Sequence, residues 1–387
     1  MKKFLSAILA AAVLLSLAAC ANDPQNSTPS TTAPPETEPK YTNPYTAEEA
    51  VSQMKIGWCL GNTFDAPQGE TAWGMPFTTK EMIEEVHNMG FNTLRLPVSW
   101  GLHTSGAPDY IIDEAWLNRV ETVMDYALDL GMYVILNSHH DLDYYMPTAE
   151  NEENAVAYID AIWKQLAARF ADKDYHLIFE TMNEPRVAGA SYEWWVDTKS
   201  EGCMKAIDII NRLNQTALDA IRAAGGCNAD RFVMVPSYAA NNQGVLIDRF
   251  QLPNDSAEGK LIVSVHAYSP YDLCLNVNSP KSEFKRSEFN EVITMMKSLN
   301  YKYVKKGIPV IIGEMGCINK SNPEDRYEWA KAYVAAAKQY GMICCVWDNG
   351  VVSGSGELFG LLDRWHVCVH EESATYLQGL MDGLKDE

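Results

Sequence analysis

The chain has 387 residues, a formal net charge of −20 and 47% hydrophobic residues. Such an excess of negative charge disfavours nucleic acid and anionic lipid as partners, so we expect no nucleic-acid binding, whereas a neutral polymer is compatible. The length suits one large domain of alternating strands and helices.

The N-terminal segment has the layout of an export signal. Two lysines follow the first methionine and precede an apolar run over residues 4–19, which is too short to be assigned as a membrane span. The run ends in "LAAC", residues 17–20, which resembles the bacterial lipobox. This resemblance implies that the signal peptide 1–19 is removed and that Cys20 is lipidated, so the protein would be anchored at the bacterial cell surface. An ordinary signal peptide, and hence a secreted protein, is the alternative.

The next segment, residues 20–40, is rich in Pro, Ser and Thr and has no apolar periodicity, which predicts a disordered linker. No further break in composition follows, so residues 41–387 are predicted to form a single domain. The eight cysteines other than Cys20 include no CxxC pair, and most lie in apolar stretches. We interpret them as small buried hydrophobic residues, although disulfides stay open for an exported protein.

Eight short apolar runs recur along this domain, most of them followed by a stretch with helical spacing. The runs are "KIGWCLGN" from residue 55, "FNTLRLPVSW" from 91, "YVILNSHH" from 133, "HLIFETMNEP" from 176, "RFVMVPSY" from 231, "LIVSVHAYSP" from 261, "PVIIGEMG" from 309 and "ICCVWDNG" from 343. Such strands alternating with amphipathic helices indicate a parallel sheet covered by helices. We predict an α/β fold, a (β/α)8 TIM barrel, with an open doubly wound sheet as the alternative. The connection between the fifth and sixth strands offers only a short helix.

Polar and aromatic residues cluster where these runs end. In strand order they are Asn62, Arg95, His139 with His140, Asn183 with Glu184, Tyr238, His266 with Tyr268, Glu314, and Trp347 with Asp348 and Asn349. In a (β/α)8 barrel the C-terminal strand ends converge on one face, where active sites lie. The clustering therefore predicts a site at the barrel mouth and favours the closed barrel over the open sheet.

Two of these residues are carboxylates, Glu184 on the fourth predicted strand and Glu314 on the seventh. Two carboxyl groups facing each other across a cleft are what glycoside hydrolysis requires, one to protonate the leaving oxygen and one to attack or stabilise the anomeric carbon. Pro185 restricts Glu184 to an extended conformation and helps to end the strand.

The motifs "FETMNEP", "VIIGEMG", "LRLPVSW", "NSHHD", "VHAYSP" and "VWDNG" together resemble glycoside hydrolase family 5, the retaining cellulases of the Asn-Glu superfamily. "LGNTFDAPQGETAWGMP" and "FGLLDR" are similar to its broad β-glucanase subfamily, and the motifs run from about residue 57 to 364. Relatives often have Asn where Met75 stands and an aromatic residue where Val346 stands, which puts the substrate preference in doubt more than the activity.

The resemblance implies that Glu184 is the general acid/base and Glu314 the nucleophile. An acid must hold its proton near neutral pH, so we expect a raised pKa for Glu184. Glu314 must be ionised, and Arg95 and the Tyr268 hydroxyl are its candidate partners. Asn183 would bind the 2-hydroxyl of the sugar at the cleaved bond.

The remaining candidates for substrate binding or support are polar or aromatic side chains: Asn62, His139, His140, His266, Trp347 and Trp73. Trp347 is the expected floor of the sugar site and Trp73 an extension of the groove, because pyranose faces pack on aromatic rings. Adjacent strand residues face opposite ways, which leaves His140 less certain than His139 and conflicts with joint action of Asn183 and Glu184 unless pleating ends at Pro185. Glu180 is interpreted as a structural partner of a buried polar group.

Two other functions compete. A metal-dependent hydrolase would use His139, His140, Asp141, His266 and Glu314, but the sequence lacks a defined ligand motif such as HExxH. A non-catalytic lipoprotein that captures glycans would not need both glutamates with their partners. We therefore predict a retaining endo-β-1,4-glucanase without metal or cofactor. It would act as a monomer on β-glucan polysaccharide and touch the membrane only through its lipid. Xyloglucan, mixed-linkage glucan, xylan and mannan stay open as substrates.

Overall fold

The computed structural model describes residues 43–386, and all structural statements concern that part of the chain. The predicted signal peptide, Cys20 and the linker to residue 40 lie outside the described residues. Within the described part, no helix is long and apolar enough to cross a membrane.

Eight parallel strands close into a barrel in sequence order. They are β1 (Gly57–Leu60), β2 (Thr93–Leu96), β3 (Tyr133–Asn137), β4 (Leu177–Glu180), β5 (Val233–Asn241), β6 (Leu261–His266), β7 (Val310–Met315) and β8 (Ile343–Asp348). Seven of the predicted apolar runs contain a whole strand, whereas β5 continues beyond the run "RFVMVPSY" to Asn241. The barrel closes because β8 pairs with β1, with Cys345 opposite Gly57 and Trp347 opposite Cys59. The predicted (β/α)8 barrel is confirmed, and the open-sheet alternative is wrong.

Helices connect the strands and cover the barrel. In the described part they are α1 (Ala47–Gln53), α2 (Lys80–Asn88), α3 (Glu114–Leu128), α4 (Leu142–Tyr145), α5 (Glu152–Arg169), α6 (Glu201–Ala223), α7 (Asn242–Leu246), α8 (Tyr271–Cys274), α9 (Asn290–Lys302), α10 (Pro323–Gln339) and α11 (Ala374–Asp382). A small antiparallel hairpin follows β8, formed by β9 (Leu362–Asp363) and β10 (Cys368–Val369). As the sequence indicated, β5 and β6 are joined by only a five-residue helix, α7.

Local sequence explains where several helices begin. Thr46 and Glu49 form a reciprocal capping box at the start of α1. Asp113 caps α3 through the backbone N–H of Trp116, and Ser200 caps α6 through the N–H of Cys203. These side chains satisfy backbone donors that the first helical turn leaves without partners.

The core has two layers. The larger lies between strands and helices, and the smaller fills the barrel interior with residues such as Cys59, Ile135, Ile178, Met234 and Cys345. Of the eight described cysteines, seven are buried and only Cys368 is exposed. The interpretation of the cysteines as small buried residues is therefore confirmed for all but that one.

Asp348 secures the seam where the barrel closes. Its fully buried carboxylate accepts hydrogen bonds from the Trp58 indole at 2.8 Å and from the backbone N–H groups of Gly350, Leu361 and Leu362 at 2.8–3.0 Å. One side chain thus joins β1 to the segment after β8. Since a buried carboxylate needs several donors, this role is structural.

Candidate active site

The predicted catalytic residues meet at the C-terminal end of the barrel. Glu314 lies within β7, whereas β4 ends at Glu180, four residues before Glu184. Regular pleating, which was expected to end at Pro185, therefore ends earlier, at Glu180. Because residues after Glu180 have left the strand, its alternation no longer governs them, and Asn183 and Glu184 are free to serve the same site.

A single buried guanidinium organises the floor of the site. Arg95 on β2 donates from Nε to Glu180 at 2.9 Å, from Nη1 to Glu314 at 2.7 Å and from Nη2 to the Asn183 amide oxygen at 2.8 Å. Burial acts against its charge, but Glu180 and Glu314 outweigh burial and raise the pKa of Arg95. Arginine therefore stays charged and holds three side chains, from β4, the segment after β4 and β7, around one planar group.

Glu180 is completely buried and acts as a structural counter-charge, as the sequence indicated. Besides Arg95, it accepts hydrogen bonds from the Asn137 amide at 3.0 Å and the Ser264 hydroxyl at 2.6 Å. With all its donors inside the protein, it offers no free oxygen to a substrate, so its position beneath the site is supportive.

Both partners predicted for Glu314 contact it. Arg95 binds one carboxylate oxygen, and the Tyr268 hydroxyl donates to the other at 2.9 Å. Burial and the negative charge of Glu314 raise the pKa of Tyr268 well above its ordinary value, so the phenol keeps its proton and remains a donor. Glu314 is thus oriented as an acceptor of one hydrogen bond on each oxygen.

Glu184 has a partner of its own. Nδ1 of His266 lies 2.8 Å from one Glu184 oxygen, and the Arg186 guanidinium lies 3.9 Å from the other. Burial would raise the pKa of Glu184, but the His266 hydrogen bond and the positive charges of His266 and Arg186 outweigh it and lower that pKa. The expected raised pKa is therefore wrong for this state of the protein.

The proton of this pair resides mainly on the imidazole. Burial disfavours the charged form of His266, yet the negative charges of Glu314 and Glu184 outweigh burial and raise the pKa of His266 above its ordinary value of 6.5. Glu184 and His266 therefore share one proton across 2.8 Å. A proton shift over that distance gives the carboxylic acid.

The two carboxylates face each other closely. One oxygen of Glu184, one oxygen of Glu314 and a ring nitrogen of His266 all lie within 4.8 Å of one another. A separation of roughly 5 Å is that of retaining glycosidases, because an inverting enzyme needs room for a water molecule between its carboxyl groups.

His139 and Trp347 form one side of the site, His140 and Trp73 another. The His139 ring stacks with Trp347 at 5.8 Å between centroids, and His140 lies 5.5 Å from Trp73, which is 42% exposed. Burial, together with the charges of His140 and Arg95, lowers the pKa of His139 well below its ordinary value, so its imidazole is neutral. Both histidines follow the end of β3, which resolves the doubt raised by strand alternation.

Asn62 and Tyr238 form hydrogen bonds with residues other than the two predicted catalytic glutamates. The backbone N–H of Asn62 donates to Asp65 at 3.0 Å, with its own φ at 54°. Tyr238 is fully buried and its hydroxyl accepts from the Val187 N–H at 3.1 Å, which supports the loop that carries Glu184. The structure thus gives Tyr238 a structural role behind the site.

Sequence reasoning overlooked Arg186 and two exposed tryptophans beside it. The Arg186 guanidinium stacks on Trp194 at 3.8 Å and pairs with Glu193 at 3.2 Å. Trp194 and Trp195 are 51% and 55% exposed in the loop after β4. The available signal was a pair of adjacent aromatic residues in a polar loop that follows a catalytic strand.

The residues of the metal-dependent alternative do not form one ligand set. His139 and His140 group with Asp65, His266 groups with Glu184 and Glu314, and Asp141 instead accepts backbone N–H groups of Trp100 and Gly101. A cation between the two glutamates would lie beside the Arg95 guanidinium, which already binds Glu314, so this donor set fits a metal poorly.

A (β/α)8 barrel with two facing glutamates at its mouth, one bound by an arginine and one paired with a proton carrier, defines a glycoside hydrolase. The comparison with protein families agrees: the model of the family described as cellulase, glycosyl hydrolase family 5, matches residues 60–353. The chain belongs to glycosyl hydrolase family 5.

Two curated relatives and one solved structure illustrate the similarity. The cellulase/esterase CelE of Acetivibrio thermocellus is 45% identical over 82% of this chain, and the match spans only 38% of CelE. Endoglucanase A of Ruminococcus albus is 44% identical over 82% of this chain and 88% of that protein. A family 5 lichenase from Caldicellulosiruptor sp. F32, solved as a mutant with cellotetraose, has 41% identity and a TM-score of 0.85, covering 90% of this chain and 98% of that one.

The raised pKa of His266 predicts a pH-dependent contribution to stability. A histidine whose pKa is raised on folding stabilises the folded state fully at pH values below its unfolded pKa of about 6.5. This stabilisation is lost as the pH rises through the pKa of the folded state. The difference in unfolding free energy between wild type and His266→Gln should therefore reach about 2 kcal/mol near pH 6 and shrink above pH 7. Chemical denaturation from pH 5.5 to 9 measures it.

The matched control is His366→Gln. His366 also pairs with a carboxylate, that of Asp363, but the His366 side chain is 77% exposed, so the pair contributes little to stability. A wild-type advantage over His266→Gln that stays constant across this range would show that the ion pair with Glu184 does not exist.

Proposed function

We propose that this chain is a retaining endo-β-1,4-glucanase that cleaves internal bonds of β-glucan. The observation that carries the proposal is the pair Glu184 and Glu314, with oxygens within 4.8 Å and with separate partners that fit separate roles. The relatives add support, because one is named endoglucanase and the solved neighbour was crystallised with cellotetraose. Mixed-linkage glucan is the second candidate substrate, since that neighbour is named a lichenase.

In the first step Glu314 attacks the anomeric carbon while the bond from that carbon to the leaving oxygen breaks. Glu184 gives its proton to the leaving oxygen, having received it from Nδ1 of His266, 2.8 Å away. Arg95 and Tyr268 hold Glu314 in line for the attack. The product is a glycosyl ester on Glu314, with the shortened chain released as an alcohol.

In the second step water cleaves this ester. In the ester Glu314 carries no negative charge, so it no longer favours the protonated forms of the neighbouring groups. Glu184 then accepts a proton from the attacking water, the bond from the anomeric carbon to Glu314 breaks, and the configuration is retained after two inversions. The proton returns to the Glu184 and His266 pair.

Aromatic side chains on the loops at the barrel mouth suit a long polymer. Trp347 and Trp73 lie beside the two histidines, and the exposed Trp194, Trp195 and Tyr271 follow strands β4 and β6. Sugar rings pack their C–H faces on such rings. Because these aromatic residues follow different strands of the barrel, they favour binding of a long chain across its mouth, which is endo action.

Endo cleavage predicts a fast fall in viscosity. Wild-type protein acting on soluble carboxymethyl cellulose or mixed-linkage glucan should halve the viscosity while few reducing ends have appeared. Glu314→Gln should be slower by roughly 10⁴-fold or more, because it lacks the attacking charge. Added chelator should not change the rate. Viscometry combined with a reducing-sugar assay measures both quantities. Reducing ends that appear without a fall in viscosity would contradict endo action. An active Glu314→Gln variant would contradict the mechanism.

Glu184→Gln separates the two steps. On glucan it should lose about 10²–10⁴-fold, because the leaving oxygen no longer receives a proton. On a cellobioside with a nitrophenol leaving group, the first step needs little acid catalysis, so Glu184→Gln should lose less activity in that step. Azide attacks without a general base, so added azide should restore turnover and give a β-glycosyl azide as the product. Product analysis by NMR identifies the anomer. Equal losses on both substrates and no response to azide would reject Glu184 as the acid/base.

We also propose that Cys20 is lipidated and tethers the enzyme outside the cell, through the linker 20–40. The support is the "LAAC" sequence after the apolar run. The native gene expressed in a bacterial host with radioactive palmitate should give a labelled protein in the membrane fraction. Cys20→Ser should be unlabelled. An unlabelled wild type, released into the medium, would favour the secreted alternative.

A further inference from the structure

Four backbone carbonyls converge on one side chain in the loop after β7. The Lys320 ammonium donates to the carbonyl oxygens of Asp272, Asn276, Ser279 and Lys281 at 2.7, 3.0, 3.0 and 2.9 Å. An ammonium has three N–H groups, so four acceptors at similar distances surround it as ligands surround an ion. Rings of carbonyl oxygens of this kind bind metal cations in other proteins.

All four carbonyls belong to one segment, residues 272–281, which runs from α8 towards α9. Their dipoles point at a common centre, so without a positive charge they would repel one another and the segment would open. Among residues 43–386, no carboxylate lies within 4.0 Å of the Lys320 ammonium. The carbonyl oxygens are thus its direct partners, and the lysine replaces an ion in the fold.

Lys320 belongs to the loop that follows the nucleophile, and residues 272–281 belong to the loop that follows Tyr268. Further bonds join the same two loops: the Ile318 N–H donates to the Cys274 carbonyl at 3.1 Å, and the Asn322 amide to the Ser282 carbonyl at 2.6 Å. The loops therefore form one unit, with Lys320 making most of the contacts across it.

This unit contains the contact between Tyr268 and Glu314. The Tyr268 ring lies against Gly316, where an added Cβ would be 3.5 Å from the ring and 2.8 Å from Phe359. Tyr268 reaches Glu314 from beyond the end of β6, so the 2.9 Å hydrogen bond depends on how the two loops lie against each other. A shift of either loop would move the donor away from the carboxylate.

We propose that Lys320 is a positioning residue, a half-buried cation that fixes the loop after β6 on the loop after β7 and so keeps Tyr268 on Glu314. The inference rests on the proposed function only in its kinetic consequence. The carbonyl cage itself is a feature of the fold and can be tested without substrate.

Lys320→Ala leaves the cage empty and open to a small cation. Its kcat on soluble β-glucan should fall about tenfold, a fraction of what a hydrogen bond to a charged group contributes, with a smaller change in KM. Ammonium or potassium chloride should restore kcat in a saturable manner, whereas tetramethylammonium chloride, at equal ionic strength, should not. In a Tyr268→Phe background, Lys320→Ala should cause little further loss of kcat.

The matched control is Lys260→Ala. Lys260 also donates to backbone carbonyls, those of Asn43 and Tyr45 at 3.2 and 2.5 Å, but it precedes β6 at the opposite end of the barrel. Its kcat should equal that of wild type and should not respond to ammonium. Wild-type kcat in Lys320→Ala, a loss that no cation restores, or full additivity with Tyr268→Phe would overturn the proposal.

Thermal melting provides a second measurement. The melting temperature of Lys320→Ala should rise in ammonium chloride over tetramethylammonium chloride, and that of wild type should not. If Lys320→Ala folds only with ammonium present, the cage is supported; if it folds in neither salt while Lys320→Met folds normally, the cage is rejected. If Lys320→Ala shows this melting shift while wild type has no activity on β-glucan, the glucanase function is rejected and the cage stays in place.

Discussion

The site depends on one buried charge, the guanidinium of Arg95. It is fully buried and binds Glu180, Glu314 and Asn183 with separate nitrogen atoms, so side chains from β4, β7 and the loop after β4 are fixed relative to one another. Arginine suits this because its donors are planar and its charge persists when buried. Lysine has one nitrogen and could not hold three acceptors in these directions.

A second constraint is the placement of the proton. Glu314 is bound by a permanent cation and a neutral hydroxyl, whereas Glu184 is bound by His266, which can both carry and give up a proton. Two carboxylates within 4.8 Å therefore differ because their partners differ. The lowered pKa of Glu184 and the raised pKa of His266 describe one shared proton, so a bound sugar needs to shift it only along an existing hydrogen bond.

Features that depend on neighbouring residues could be predicted from the sequence, whereas contacts between residues far apart in the chain could not. Each strand could be predicted because its apolar residues are consecutive, and Glu184 and Glu314 because they follow such runs. The predicted direction of the Glu184 pKa shift was wrong because His266 lies 82 residues further along the chain. Its contact with Glu184 is fixed only when the barrel closes. The carbonyl partners of Lys320 leave no trace in the sequence, since any residue supplies a backbone oxygen.

The charges of the site balance in a way that suits the reaction. Arg95 brings one positive charge to the two carboxylates of Glu180 and Glu314, and Glu184 with His266 and their shared proton is neutral wherever the proton lies, so these groups together carry one net negative charge. The anomeric carbon becomes positive in the transition state, beside that single negative charge. In the ester the site is neutral, and the charge returns only when water has cleaved the bond.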